Sequence, residues 1–237
     1  MSKIIELIKS KYPEISEMPF LSAISEGKFD RKKILNSEVV ELYRALNTRE
    51  KIQNIYKEKL LEANKLDLVS KDQLAIMEEV IDDEGETDEH MDHLDMRFKL
   101  FHETEIKRGY WPIYNDELEK INNEWVSICK ESSIFTLMCC TAAIEGWYPK
   151  ISKFFEKEYL KRGFNNDELE LFIAHQGADV EHSEAQHQIL IDNEKIINFE
   201  EVDTMVTRTF NTSREYDRIK LLFANENKNI LSYFEKR

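Results

Sequence analysis

Apolar residues recur every three or four positions along most of this chain, and little interrupts them: 237 residues contain only six glycines and four prolines. Runs of alternating β-branched residues, the mark of half-buried strands, do not occur, so the pattern predicts an all-α fold. A first helix is expected over residues 2–11, stopped near Pro13, followed by the loop "SEMPFLSAISEGKFD". Asp30 is placed to cap a helix beginning "RKKILNSEVVELYRAL", and the patterning continues through "REKIQNIYKEKLLEAN". Ser70 or Asp72 opens a long helix reaching about residue 107, with Gly85 as a bend or interruption. "GYWPIYND" reads as a loop, Asp116 opens the next helix, and another covers about 131–161, ending at Gly163. Asp167 opens the helix containing "AHQGADVEH", and a last helix spans about 200–235. These segments predict a bundle of seven or eight helices forming a single domain over residues 1–237.

Charge narrows the partners. A net charge of −14 disfavours nucleic acid and anionic membrane surfaces, both of which need a cationic face. No apolar run approaches a membrane span, and the amphipathic start "MSKIIELIKSKYPEI" lacks the core of a signal peptide, so a cytoplasmic protein is expected. Cys129, Cys139 and Cys140 are odd in number, include an adjacent pair and form no CxxC motif; they read as buried apolar groups.

Polar residues on apolar stripes point to chemistry. In the helix after Asp167, one face reads Phe172, His175, Asp179, His182, Gln186 and Ile189. Two imidazoles and a carboxylate on a buried face are costly unless they are paired or bind a cation, and this donor set suits iron or manganese better than zinc. The preceding helix carries Glu145 on the stripe Met138, Thr141, Glu145, Tyr148, Ser152 and Phe155, within the very apolar "MCCTAAIEGWYP". Pro149 removes the helical partner of the residue 145 carbonyl and is a candidate kink. A third contribution lies in "VIDDEGETDEHMDHLDM", where helical spacing pairs Glu86 or Asp83 with His90. His93 is an alternate, but its stripe runs into Glu79 and Asp82 and looks solvated. His102 and His187 fall off these stripes and are expected on the surface. An isolated HxxxDxxH is a weak signal; the conjunction of three helices, each with inward-facing donors, is what suggests a two-metal carboxylate site.

The order and spacing of these motifs resemble the haem-oxygenase-like dimetal oxidase and oxygenase superfamily. "HQGADVEH" is similar to the H-x3-D-x2-H segment of the para-aminobenzoate-forming oxygenase branch, and "EMPFLSAISEGKFDRKKI" is similar to the family's opening segment. The resemblance implies a haem-oxygenase-like helical fold and a non-haem, O2-dependent oxidase or oxygenase acting on a small, amino-acid-like metabolite. It implies two iron ions, with Mn/Fe as the alternative pairing, and O2 as co-substrate. The implied ligands are Glu86 (or Asp83), His90, Glu145, His175, Asp179 and His182. An external electron donor and a homodimer are also compatible with it. The chain departs from that branch at Phe155, which stands where the branch has an amino-donor lysine, so a protein-derived amino group is not expected. Tyr148, Trp147, Phe172 and Tyr159 are candidate walls of a substrate pocket. Two other functions fit the same helices. One is a metal-free hydrolase of the TENA/PqqC-like kind, whose thiamine-degrading members use a nucleophilic cysteine; the other is a non-catalytic helical interaction protein with an acidic surface.

Overall fold

The computed structural model describes residues 2–83 and 93–237, without the side chains of residues 79–83. Its helices are α1 (Lys3–Ser10), α2 (Pro19–Ser25), α3 (Arg31–Lys65), α4 (Lys71–Asp83), α5 (His93–Lys99), α6 (Asp116–Glu131), α7 (Ile134–Leu160), α8 (Glu170–His175), α9 (Ala178–Asp192) and α10 (Phe199–Asn225). A short antiparallel ribbon joins β1 (Tyr110–Pro112) to β2 (Phe234–Lys236). The fold is therefore all-α, as the periodicity predicts. Among the described residues, no helix is long and apolar enough to cross a membrane.

Local chemistry sets the helix ends. The Asp30 carboxylate accepts the Lys33 N–H at 2.9 Å and starts α3. Before α4, the Ser70 hydroxyl accepts the Gln73 N–H at 3.2 Å while the Gln73 side chain accepts the Ser70 N–H at 3.0 Å, a reciprocal cap. Asn115, one residue before the expected Asp116, caps α6 by accepting the Leu118 N–H at 3.0 Å. Ser133 caps α7, which then runs through Pro149 to Leu160.

Four expected segments differ. Residues 19–25, expected in a loop, form α2, because Pro19 at its first position loses no helical hydrogen bond. The helix expected to reach residue 107 gives two described helices, α4 and α5, and α5 stops at Lys99. The helix carrying "AHQGADVEH" breaks after His175, and α9 starts again at Ala178. The last helix ends at Asn225, after which the chain turns back and β2 pairs with β1, so the expected loop "GYWPIYND" contains a strand. Arg237 lies over the Trp111 ring at 5.0 Å and Lys236 over Tyr110 at 5.2 Å, holding the carboxyl-terminal residues against that loop.

α3, α6, α7, α9 and α10 pack side by side around the core. Gly177 does not mediate close helix approach, since a Cβ there would meet only the Ala174 carbonyl at 4.0 Å. Gly146 does: a Cβ at that position would overlap the Tyr12 hydroxyl, with Tyr12 Cζ 3.4 Å away. The hydroxyl itself is buried without a hydrogen-bond partner. Gly146→Ala should therefore destabilise the protein by about 1–3 kcal/mol through overpacking. Tyr12→Phe alone should stabilise by about 1 kcal/mol by removing an unsatisfied polar group. In the double variant the alanine should be neutral or stabilising, and denaturant unfolding of all four proteins measures this coupling.

Candidate functional site

Between α3, α5, α6, α7 and α10 lies a cavity of about 270 Å³. His93, Glu145, His175 and Asp179 line one part of it, and Glu41, Arg44, Arg97, Asp217 and Lys220 line another. Ile52, Leu94, Trp125, Ile128, Leu137 and Ile144 supply apolar wall.

The break between α8 and α9 organises the first group. His175 ends α8 and Asp179 lies in the first turn of α9. Across the break, His175 Nδ1 meets Asp179 Oδ1 at 2.8 Å, which leaves Nε2 as the ring nitrogen for a further partner. The His93 ring stacks on His175 with centroids 4.9 Å apart and planes 11° apart, and Tyr148 meets the same imidazole edge-on at 5.3 Å. His93 is thus turned inward, contrary to its solvated-looking stripe. The stripe counted from Ile76 crosses residues 84–92, which lie outside the described residues.

Glu145 is held by its neighbour across α7 and α9. The Gln186 amide donates to Glu145 Oε2, and the Thr141 hydroxyl donates to Gln186 Oε1 at 2.6 Å. The chain Thr141–Gln186–Glu145 orients the carboxylate, a role the Gln186 position on the stripe allows but does not announce. His182 is half-buried on α9 and does not line the cavity. Glu86 and His90 lie outside the described residues, as does the side chain of Asp83. Among the described residues, no three His, Cys, Asp or Glu side chains come close enough together to hold a metal ion.

Of the expected pocket aromatics, Trp147 and Tyr148 line the cavity. Phe172 and Tyr159 pack in the core against Phe155, at 5.2 and 5.2 Å between centroids. Cys129 and Cys140 also line the cavity, but burial pushes their thiols up to about 11 and about 12, and Cys139 higher still. Of the two histidines expected on the surface, His102 is exposed and His187 is partly buried. His102, 48% exposed, meets the buried Glu168 at 2.8 Å, and the partly buried His187 has an Nε2 without a partner.

The cationic lining of the cavity has no local signature in the sequence. Glu41 accepts from Arg44 Nε at 3.1 Å and lies 3.8 Å from Lys220 Nζ. Burial would push the Glu41 carboxyl up, but Arg44, Lys220 and Arg97 outweigh it and hold it at about 2. Asp217 accepts the Phe20 and Leu21 N–H groups at 2.7 and 3.3 Å, and burial raises its carboxyl to about 6 against these bonds. Only a fold-wide comparison of α3, α5 and α10 could have joined these residues, since each helix alone shows an ordinary charged pattern.

Compared with known proteins, the chain matches no family model and no curated relative.

Two outcomes follow. Gln186→Leu removes the amide that donates to Glu145 and accepts from Thr141, and should cost about 1–2 kcal/mol in chemical unfolding. The Asp217 shift is upward from 3.8, so the folded state holds its proton more tightly than the unfolded chain. Its contribution to stability is full below about pH 4 and is lost as pH rises to about 6, by up to about 3 kcal/mol. Glu41 acts in the opposite sense, its contribution disappearing as pH falls below its ordinary 4.5 toward 2. Stability measured from pH 3 to 8 should lose the decline between pH 4 and 6 in Asp217→Asn.

Proposed function

We propose that this protein is a non-haem dimetal oxidase or oxygenase, with iron as the metal and O2 as co-substrate, acting on a small amino-acid-like metabolite. The observation that supports this reading is that Glu145, His175 and Asp179, drawn from α7, α8 and α9, all line one cavity, with His175 and Asp179 in contact. Imidazole nitrogen and carboxylate oxygen form a donor set suited to iron, and the cavity thiols are too strongly buried to compete as thiolates.

Glu145, His175 and Asp179 would be joined by His182 and by Glu86 or Asp83 with His90 to complete the set, with His93 as the alternate imidazole. Iron held there would supply the capacity to bind and reduce dioxygen. The chain's own residues do the rest. Gln186, itself held by Thr141, holds Glu145 in one orientation. His93 and Tyr148 fix the His175 ring from two sides, so Nε2 keeps its direction. A cation entering between His175 and Asp179 would replace the bond they now share, which answers the cost of burying both groups.

The cysteine-hydrolase alternative is disfavoured by the raised thiols, because a hydrolytic nucleophile needs its thiolate. A purely structural helical interaction protein would have no use for an oriented glutamate beside a hollow.

Fe(II) added anaerobically to chelator-treated protein should bind and raise the melting temperature, and admission of O2 should give a transient visible absorbance. His175→Ala and Glu145→Gln should each weaken iron binding by about 10–100-fold or more. No iron uptake by the wild-type chain and an unchanged melting temperature would sink the proposal.

A further inference from the structure

We infer that Arg97 is the docking point for the carboxylate of a small, mostly apolar monoanion that occupies the cavity. As a statement about substrate recognition it rests on the proposed oxygenase reading; as a statement about binding it stands on the cavity alone.

α5 places His93, Leu94 and Arg97 on the cavity wall, the first and last one helical turn apart. Arg97 is 7% exposed. Among the described residues its guanidinium makes no hydrogen bond and no ion pair, although it lies within the field of Glu41. That carboxylate is already held by Arg44 and approached by Lys220. Other acids nearby are engaged as well: Glu38 accepts from Lys220 and Tyr159, and Asp217 accepts two backbone N–H groups. A guanidinium removed from water with its donors open is expensive, and the cost disappears when an anion enters.

The chemistry of that anion follows from the surroundings. A planar two-oxygen group matches the guanidinium fork, which points to a carboxylate. Arg44, Arg49 and Lys220 already have partners, so Arg97 offers one open guanidinium fork, which suits a monoanion better than a phosphate. Ile52, Leu94, Trp125, Ile128 and Leu137 line the remaining space, so the body of the ligand is apolar. With its carboxylate on Arg97, the ligand's first carbons lie beside His93 and His175, within the part of the cavity where Glu145 and Asp179 also stand.

The test uses the full chain stripped of metal by chelator, so that no carboxylate can bind through iron. Butanoate, octanoate and 3-phenylpropanoate are each compared with their primary amides by thermal shift and calorimetric titration. At least one acid should bind and raise the melting temperature, while its amide should bind at least tenfold more weakly. Arg97→Met should abolish the acid-dependent shift and raise the melting temperature of the ligand-free protein by a few degrees, because it removes a buried charge without a partner. Arg97→Lys should retain part of the binding. The inference is overturned if no acid stabilises the protein, if acids and amides act alike, or if Arg97→Met lowers the ligand-free melting temperature. Fe(II) uptake is measured separately on the same proteins. Acid binding without iron uptake keeps the carboxylate site and removes the oxygenase, whereas iron uptake without acid binding does the reverse.

Discussion

Glu38 is the carboxylate on which the three longest helices meet. It sits on α3 at 1% exposure and accepts the Tyr159 hydroxyl of α7 at 2.6 Å and the Lys220 ammonium of α10 at 2.8 Å. A charge so deeply buried is tolerable only with close partners, and removing either one leaves the other exposed to the low-dielectric interior. The same Lys220 reaches over the Phe20 and Phe155 rings at 5.2 and 4.8 Å, tying α2 into the junction. With α3, α7 and α10 pinned here, the helices enclose the cavity beside the junction without filling it.

The lining of that hollow is chemically mixed. Imidazoles and carboxylates from α5, α7, α8 and α9 share it with Arg44, Arg97 and Lys220 and with apolar side chains. A few placed charged groups on an otherwise apolar wall are what a bundle needs to hold a small molecule in one orientation. Acidic composition gives no hint of it. The net charge of −14 describes the solvated surface, whereas Arg44, Arg97 and Lys220 face inward.

Helical class was legible because 3.6-residue periodicity is repeated many times over, and Asp30 and Ser70 cap their helices in the expected way. His175, Asp179 and Glu145 could be picked out because each interrupts an otherwise apolar stripe, and the cavity gathers all three. The inward position of His93 rests on its stacking against His175, a contact with another helix that its own stripe does not display. Arg97 sits in "LDMRFKL", which reads as a solvated turn, and its burial depends on packing against distant helices. The Glu38–Lys220 pair spans 182 positions and has no local signature at all. β1 and β2 are three residues each, too short to display alternation, and each is a strand only because the other end of the chain lies beside it. Gln186 was visible on its stripe, but its service to Glu145 needed the neighbouring helix to be in place.

The central claim is that the donors around His175 hold a pair of metal ions. Anomalous diffraction at the iron edge from crystals of the protein loaded anaerobically with Fe(II) tests it most directly. The account predicts two peaks about 3.5–4 Å apart, bounded by Glu145, His175, Asp179 and His182 and completed by one carboxylate and one imidazole from the segment between residues 83 and 93. Absence of any peak at that wall of the cavity, or iron found only on the acidic surface, would contradict it.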